Sequence, residues 1–163
     1  MSSGGSGQLV RIDSRSLHGM IPWGSFVTSQ NFGPDYFLLY VLVVSRGQQA
    51  CGRYESPPLG HVDVQIFLEE FRELLTNDAR HEMWIGSTDR QGMLVYDAHG
   101  IIYAYGPLDD FEQVLIGRGL KSGSFQIPSP HAHHYHEEYD ERVDHLVARW
   151  EWRHFELQPG DGE

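Results

Sequence analysis

The chain has 163 residues, 40% of them hydrophobic and 12% aromatic, enough for one globular domain with a real core, which excludes fibrous, collagenous and fully disordered classes. Lys and Arg total 12 against 23 Asp and Glu, a net charge of −11 with His neutral, so binding nucleic acid or an anionic membrane would work against the protein's own field. The acidity is uneven: residues 1–60 sum to about +1 and residues 61–163 to about −12, which assigns electrostatic recognition to the later part and favours a cationic partner or a metal.

Residues 1–7 have no basic stretch leading into an apolar one, so they read as a flexible leader and not as a secretory signal. Tyr36–Ser45 is a nearly continuous apolar run bounded by Gly33-Pro34 and Arg46-Gly47, as a central strand would be. It is about half the ~20 residues a membrane-spanning helix needs, so no membrane association is expected. Cys51 is the only cysteine, which excludes an internal disulfide and a Cys-based zinc knuckle and fits a reducing, cytoplasmic setting. After Pro57-Pro58 the period changes: Val64, Phe67, Leu68, Phe71, Leu74 and Leu75 fall on one stripe between charged residues, predicting an amphipathic helix that ends at Asn77.

His81–Gly86 and Gly92–Tyr105 read as strands, the latter folded into a hairpin at Asp97-Ala98-His99-Gly100, where Gly100 can take the positive φ of a tight turn. His81 and His99 are read as an edge and a turn residue. Leu108 to about Arg118 is predicted as a second helix, with Asp109 and Asp110 at the positive end of its dipole. A third helix starts at Glu137 and uses Tyr139, Val143, Leu146 and Val147, and its end runs into RWEWRHFEL, where Trp150 and Trp152 alternate with charges as in a half-wet strand. Residues 158–163 read as a frayed tail. No repeat or long linker appears, so the expected fold is a single α+β domain over residues 8–157, a mainly antiparallel sheet with two or three packed helices.

The strongest chemical signal is PSPHAHHYHEEYDERVDH, which holds five of the ten histidines among five carboxylates. Imidazole and carboxylate suit zinc or iron, and histidines at i and i+2 of an extended segment project to one side, so His131, His133, His134 and His136 are the candidate metal ligands. The tract approaches the H-x-H-x-D-H signature of the metallo-β-lactamase fold, but Tyr135 stands where the water-activating Asp belongs and too little chain follows. The amidohydrolase H-x-H is excluded because its barrel needs at least about 200 residues. The competing view is a solvated loop entering a helix, its flanking carboxylates favouring imidazolium, a pH-sensitive patch without metal.

No G-x-S-x-G surrounds any serine, and no glycine run precedes a helix as a phosphate loop must. Cys51 reads as a small hydrophobe. Asp109, Asp110 and Glu112 are explained by the helix dipole, yet they also offer charge for recognition. Tyr103 with Tyr105, and Trp150 with Trp152, share strand faces; together with Tyr139 they are candidates for an aromatic surface rimmed with acids, suited to covering a basic protein or a second copy of the chain. The run GMLVYDAHGIIYAYGPLDDFEQVL with the WEW segment resembles the build of small bacterial immunity proteins that neutralise secreted toxins. That resemblance implies an acidic α+β domain without catalytic residues or cofactor, which blocks a toxin at its active site or entrance. The alternative expectation is a metal-dependent enzyme, with zinc or iron, or a metal-binding protein, built on the His131–His136 cluster.

Overall fold

The structure, a computed structural model, describes residues 10–13, 35–89, 92–117, 126 and 129–162. The expected leader at residues 1–7 and the helix end at Arg118 lie outside the described residues. Seven strands, β1 (Val10–Asp13), β2 (Tyr36–Leu42), β3 (Gly52–Glu55), β4 (His81–Ser87), β5 (Met93–Tyr96), β6 (Ile101–Tyr105) and β7 (Arg153–Phe155), form one sheet in the order β1-β6-β5-β4-β2-β3-β7. Every pairing is antiparallel. Among the described residues four α-helices accompany it: α1 (His61–Glu70), α2 (Arg72–Asn77), α3 (Leu108–Gly117) and α4 (Asp140–Ala148), the last preceded by a 3-10 turn at Glu137–Tyr139. This is the expected α+β domain.

Strand alternation divides the sheet into two faces. Tyr36, Leu38, Tyr40 and Leu42 of β2 point the same way as Met83 and Ile85 of β4, Leu94 and Tyr96 of β5, and Ile102 and Ala104 of β6. On them lie Phe67, Phe71, Leu74 and Leu75 from α1 and α2, Phe111 and Leu115 from α3, and Val143 and Leu146 from α4. These are the stripe residues read from the sequence. The single long helix expected to end at Asn77 is kinked at Phe71 (φ −103°, ψ 11°), yet Phe71 N–H still reaches Phe67 O and Leu75 N–H reaches Phe71 O, so the hydrogen-bond ladder bends without ending.

The opposite face carries Leu39, Val41, Trp84, Val95 and Tyr103, with Arg53 and Glu82 among them. The C-terminal residues cross here: Asp161 accepts two bonds from Arg53 (2.9 and 2.7 Å) and Gly162 N–H donates to Glu82 (3.0 Å). The stretch expected to fray is thus tied to the sheet, because an Arg and a Glu on a sheet face need partners as soon as anything covers them.

Two further expectations are corrected. Trp150 and Trp152 precede β7 instead of lying in it; both rings pack against Phe67 (4.8 and 6.0 Å), sealing the core beside α1, and the wet strand is the shorter Arg153–Phe155. The strand from Tyr36 ends at Leu42 and not Ser45, because the N–H groups of Val43 and Val44 both turn to Arg80 O. No helix among the described residues is long and apolar enough to cross a membrane.

Candidate metal centre

At one end of the sheet the β5–β6 turn supplies the first half of the site. Asp97 is buried, and its Oδ1 accepts the N–H groups of His99 and Ile101 (both 2.9 Å), an Asx turn that fixes the loop while Gly100 takes φ 76°. Its Oδ2 meets Tyr103 Oη–H (3.2 Å) and His99 Nδ1 (3.1 Å). The carboxylate accepts Nδ1–H of the imidazole and turns Nε2 outward, the arrangement that orients a metal-ligating histidine.

The second half comes from the histidine tract. The backbone is extended at His136 (φ −107°, ψ 122°), and the rings of the tract sort by alternate positions, His131 with His133 and His134 with His136. His131 and His133 fall on the side of His99: the three ring centroids are 4.9, 5.0 and 5.2 Å apart, and His99 Nε2 lies 3.1 Å from His131 Nε2. One nitrogen from each of the three rings lies within 4.8 Å of the others. Ligands about 2.05 Å from a tetrahedral zinc are about 3.3 Å apart, so the 3.1 Å pair is close to a coordinating separation; it equally suits an Nε2–H···Nε2 hydrogen bond. His99 and His133 are half-buried and His131 is exposed, which leaves the cluster open on one side.

His134 and His136 take the other side of the segment. They stack on each other (6.3 Å) and His136 stands edge-on to Tyr139 (6.0 Å), so the four ligands read from the sequence divide into two that join the cluster and two that do not. The sequence reading missed His99. Its distance along the chain, 32 residues from His131, hid it; the available signal was Asp97-x-His99 in a hairpin turn, a carboxylate placed to orient a ring. The flanking carboxylates were expected to favour imidazolium, but burial, together with neighbouring His99 and His131, pushes the His133 pKa down. Asp97 only partly offsets this.

The residues read as a recognition surface are spread over the molecule. Tyr103 serves Asp97, Tyr139 packs on the core and accepts a bond from Asn77 Nδ2 (3.3 Å), and Trp150 and Trp152 seal α1. Tyr105, Asp109 and Glu112 are exposed, and Asp110 is half-buried. His81, read as an edge residue, is buried in the core with Nδ1 3.2 Å from Tyr40 Oη. A cavity of about 980 Å³ opens at the opposite end of the sheet, between Phe37, Pro57, Pro58, Met93 and Tyr105. Its buried hydroxyls donate locally, Ser56 to Pro57 O and Ser87 to Asp89.

No protein-family model matches the chain, and no curated protein and no solved structure is significantly similar to it.

Proposed function

We propose that the protein binds one divalent transition-metal ion, zinc before iron, through His99, His131 and His133. The observation that carries this reading is the convergence of three imidazoles from two separate segments, one of them oriented by a buried carboxylate. Three neutral nitrogens suit zinc, iron(II) and their neighbours and are poor ligands for calcium or magnesium, which require oxygen. A three-histidine set leaves one coordination position to solvent, as in sites where the metal lowers the pKa of bound water, so hydrolysis is the activity to assay on the loaded protein.

The test is metal content by elemental mass spectrometry on untagged protein purified without nickel resin or chelator. About one ion per chain is expected, abolished by His99→Ala with His133→Ala and retained in His136→Ala, whose ring lies outside the cluster. Asp97→Asn keeps an oxygen for the two backbone N–H groups but turns a donor toward His99 Nδ1, so affinity should fall tenfold to a hundredfold, on the order seen when such orienting partners are lost. Metal far below stoichiometric, or unchanged in the double variant, overturns the reading.

A second reading is favoured by exposed Tyr105, with Asp109 and Glu112 close by in the chain on a protein of net charge −11. In it, that acidic face meets a cationic protein, as in the toxin-neutralising immunity proteins whose build the chain resembles. It needs no metal, and the two readings use different surfaces.

A further inference from the structure

We infer that Arg80 is a positioning residue for the three-histidine site: its buried guanidinium, fixed by Asp78 and Asp140, holds the backbone at His136 and so aims His131 and His133 at His99. This rests on the metal-binding reading above and adds what makes the site a preformed one.

A segment outside both sheet and helix must find partners for its backbone groups elsewhere. Residues 131–136 find three of them at residues 78–80. Ala79 N–H donates to His134 O (3.1 Å), His136 N–H donates to Asp78 Oδ2 (2.8 Å), and Arg80 Nη2 donates to His136 O (2.7 Å). The guanidinium also forks onto Asp78, Nε to Oδ1 (2.8 Å) and Nη2 to Oδ2 (2.9 Å), and sends Nη1 to Asp140 Oδ1 (2.6 Å) at the start of α4. The Arg80 and Asp78 side chains are 1% and 0% exposed. A buried bidentate pair of this kind is rigid, because any rotation leaves a desolvated charge without a partner.

Burial opposes the charge on both groups, yet their hydrogen bonds, including the backbone N–H groups of His136 and Arg80 on Asp78, outweigh it, keeping Arg80 protonated and holding the Asp78 carboxyl below its ordinary pKa. Arg46 Nε, 3.4 Å from Asp140 Oδ1, supplies the cation that balances the second carboxylate. Arg80 O in turn accepts the N–H groups of Val43 and Val44, so the same residue is built into the end of β2. Docking at 134 and 136 fixes which side of the segment faces the hairpin turn: with rings paired at alternate positions, a slip of one residue would turn His131 and His133 away and present their neighbours instead.

The test uses the metal-free full chain and cobalt(II) as a coloured substitute for zinc, with four proteins compared: wild type, Arg80→Lys, Asp140→Asn and the core variant Val64→Ala. Lysine keeps one buried charge but cannot fork to Asp78 while reaching His136 O and Asp140. Arg80→Lys is expected to weaken cobalt binding tenfold to a hundredfold and to shift the visible bands, and Asp140→Asn to do so less. Val64→Ala, which loses packing at a buried helix position, should lose thermal stability with affinity and bands unchanged. Folded Arg80→Lys and Asp140→Asn proteins with wild-type affinity and spectrum would overturn the inference while leaving the metal site standing. If Arg80→Lys does not fold, Asp140→Asn decides alone, since that side chain is partly exposed. A wild-type protein that binds neither cobalt nor zinc overturns the metal reading, and this inference with it.

Discussion

A buried imidazole is tolerated while it stays neutral, and His81 shows what that requires. Its Nδ1 accepts from the Tyr40 hydroxyl and its Nε2 faces Leu75 O at 3.5 Å, so both ring nitrogens are used without a proton being added. Burial pulls its pKa down to about 4, from 6.5. The unfolded chain therefore binds a proton that the folded chain refuses, and stability falls as pH drops from about 6.5 towards 4. Asp78 acts in a lower window: its depressed pKa contributes stability above about 3.8 that is lost on further acidification. Thermal melts between pH 7 and 4 should show a steady loss of Tm, and His81→Gln should flatten it; equal slopes in the two proteins would remove His81 as the cause. The sequence reading placed His81 at an edge because a strand's first residue usually meets solvent. Nothing local announces that α2 lies over it. His99 was legible as a turn residue, and only its meeting with His131 was not, since that depends on how two distant segments dock.

At the scale of elements, long periodic segments were readable and short ones were not. β2, the β5–β6 hairpin and the three helical stripes announce themselves through apolar spacing that tertiary packing then uses. β3 does not: in GRYE only Tyr54 turns to the core, and the strand exists because β2 and β7 pair with its backbone. β7 was blurred because Trp150 and Trp152 mimic strand alternation while serving as core plugs. The β3–β7 junction depends on Gly52. A Cβ there would meet Phe155 O at 2.6 Å as well as the His154 ring, and a carbonyl in a ladder cannot step aside. Gly52→Ala is accordingly expected to cost about 1–3 kcal/mol and to release β7. Denaturant unfolding and amide exchange at Arg153–Phe155 would report both, and exchange unchanged from wild type would show that the strand finds room.

For the molecule as a whole, the fold class was legible and the candidate site only in part, because composition and periodicity fix layers whereas a site requires segments to meet. Charge operates at this scale too. If the face with Tyr105, Asp109 and Glu112 meets a cationic protein, Asp109→Lys with Glu112→Lys should slow association about tenfold at low salt and flatten its ionic-strength dependence. Stopped-flow mixing with that partner measures this; a rate indifferent to the reversal would exclude an acidic docking face. The sheet order has a different consequence. Its middle, β2, β4, β5 and β6, is assembled within residues 36–105, but among the described residues the outer side of β3 is covered only by β7, and the contact between Glu55 and Arg153 spans 98 residues. On the ribosome, β3 is therefore made long before the strand that shields it, and in that interval it presents an open hydrogen-bonding edge to other nascent chains. Its outward-facing Arg53 and Glu55, later the partners of Asp161 and Arg153, are charges of the kind that discourage edge-to-edge pairing while the chain is incomplete.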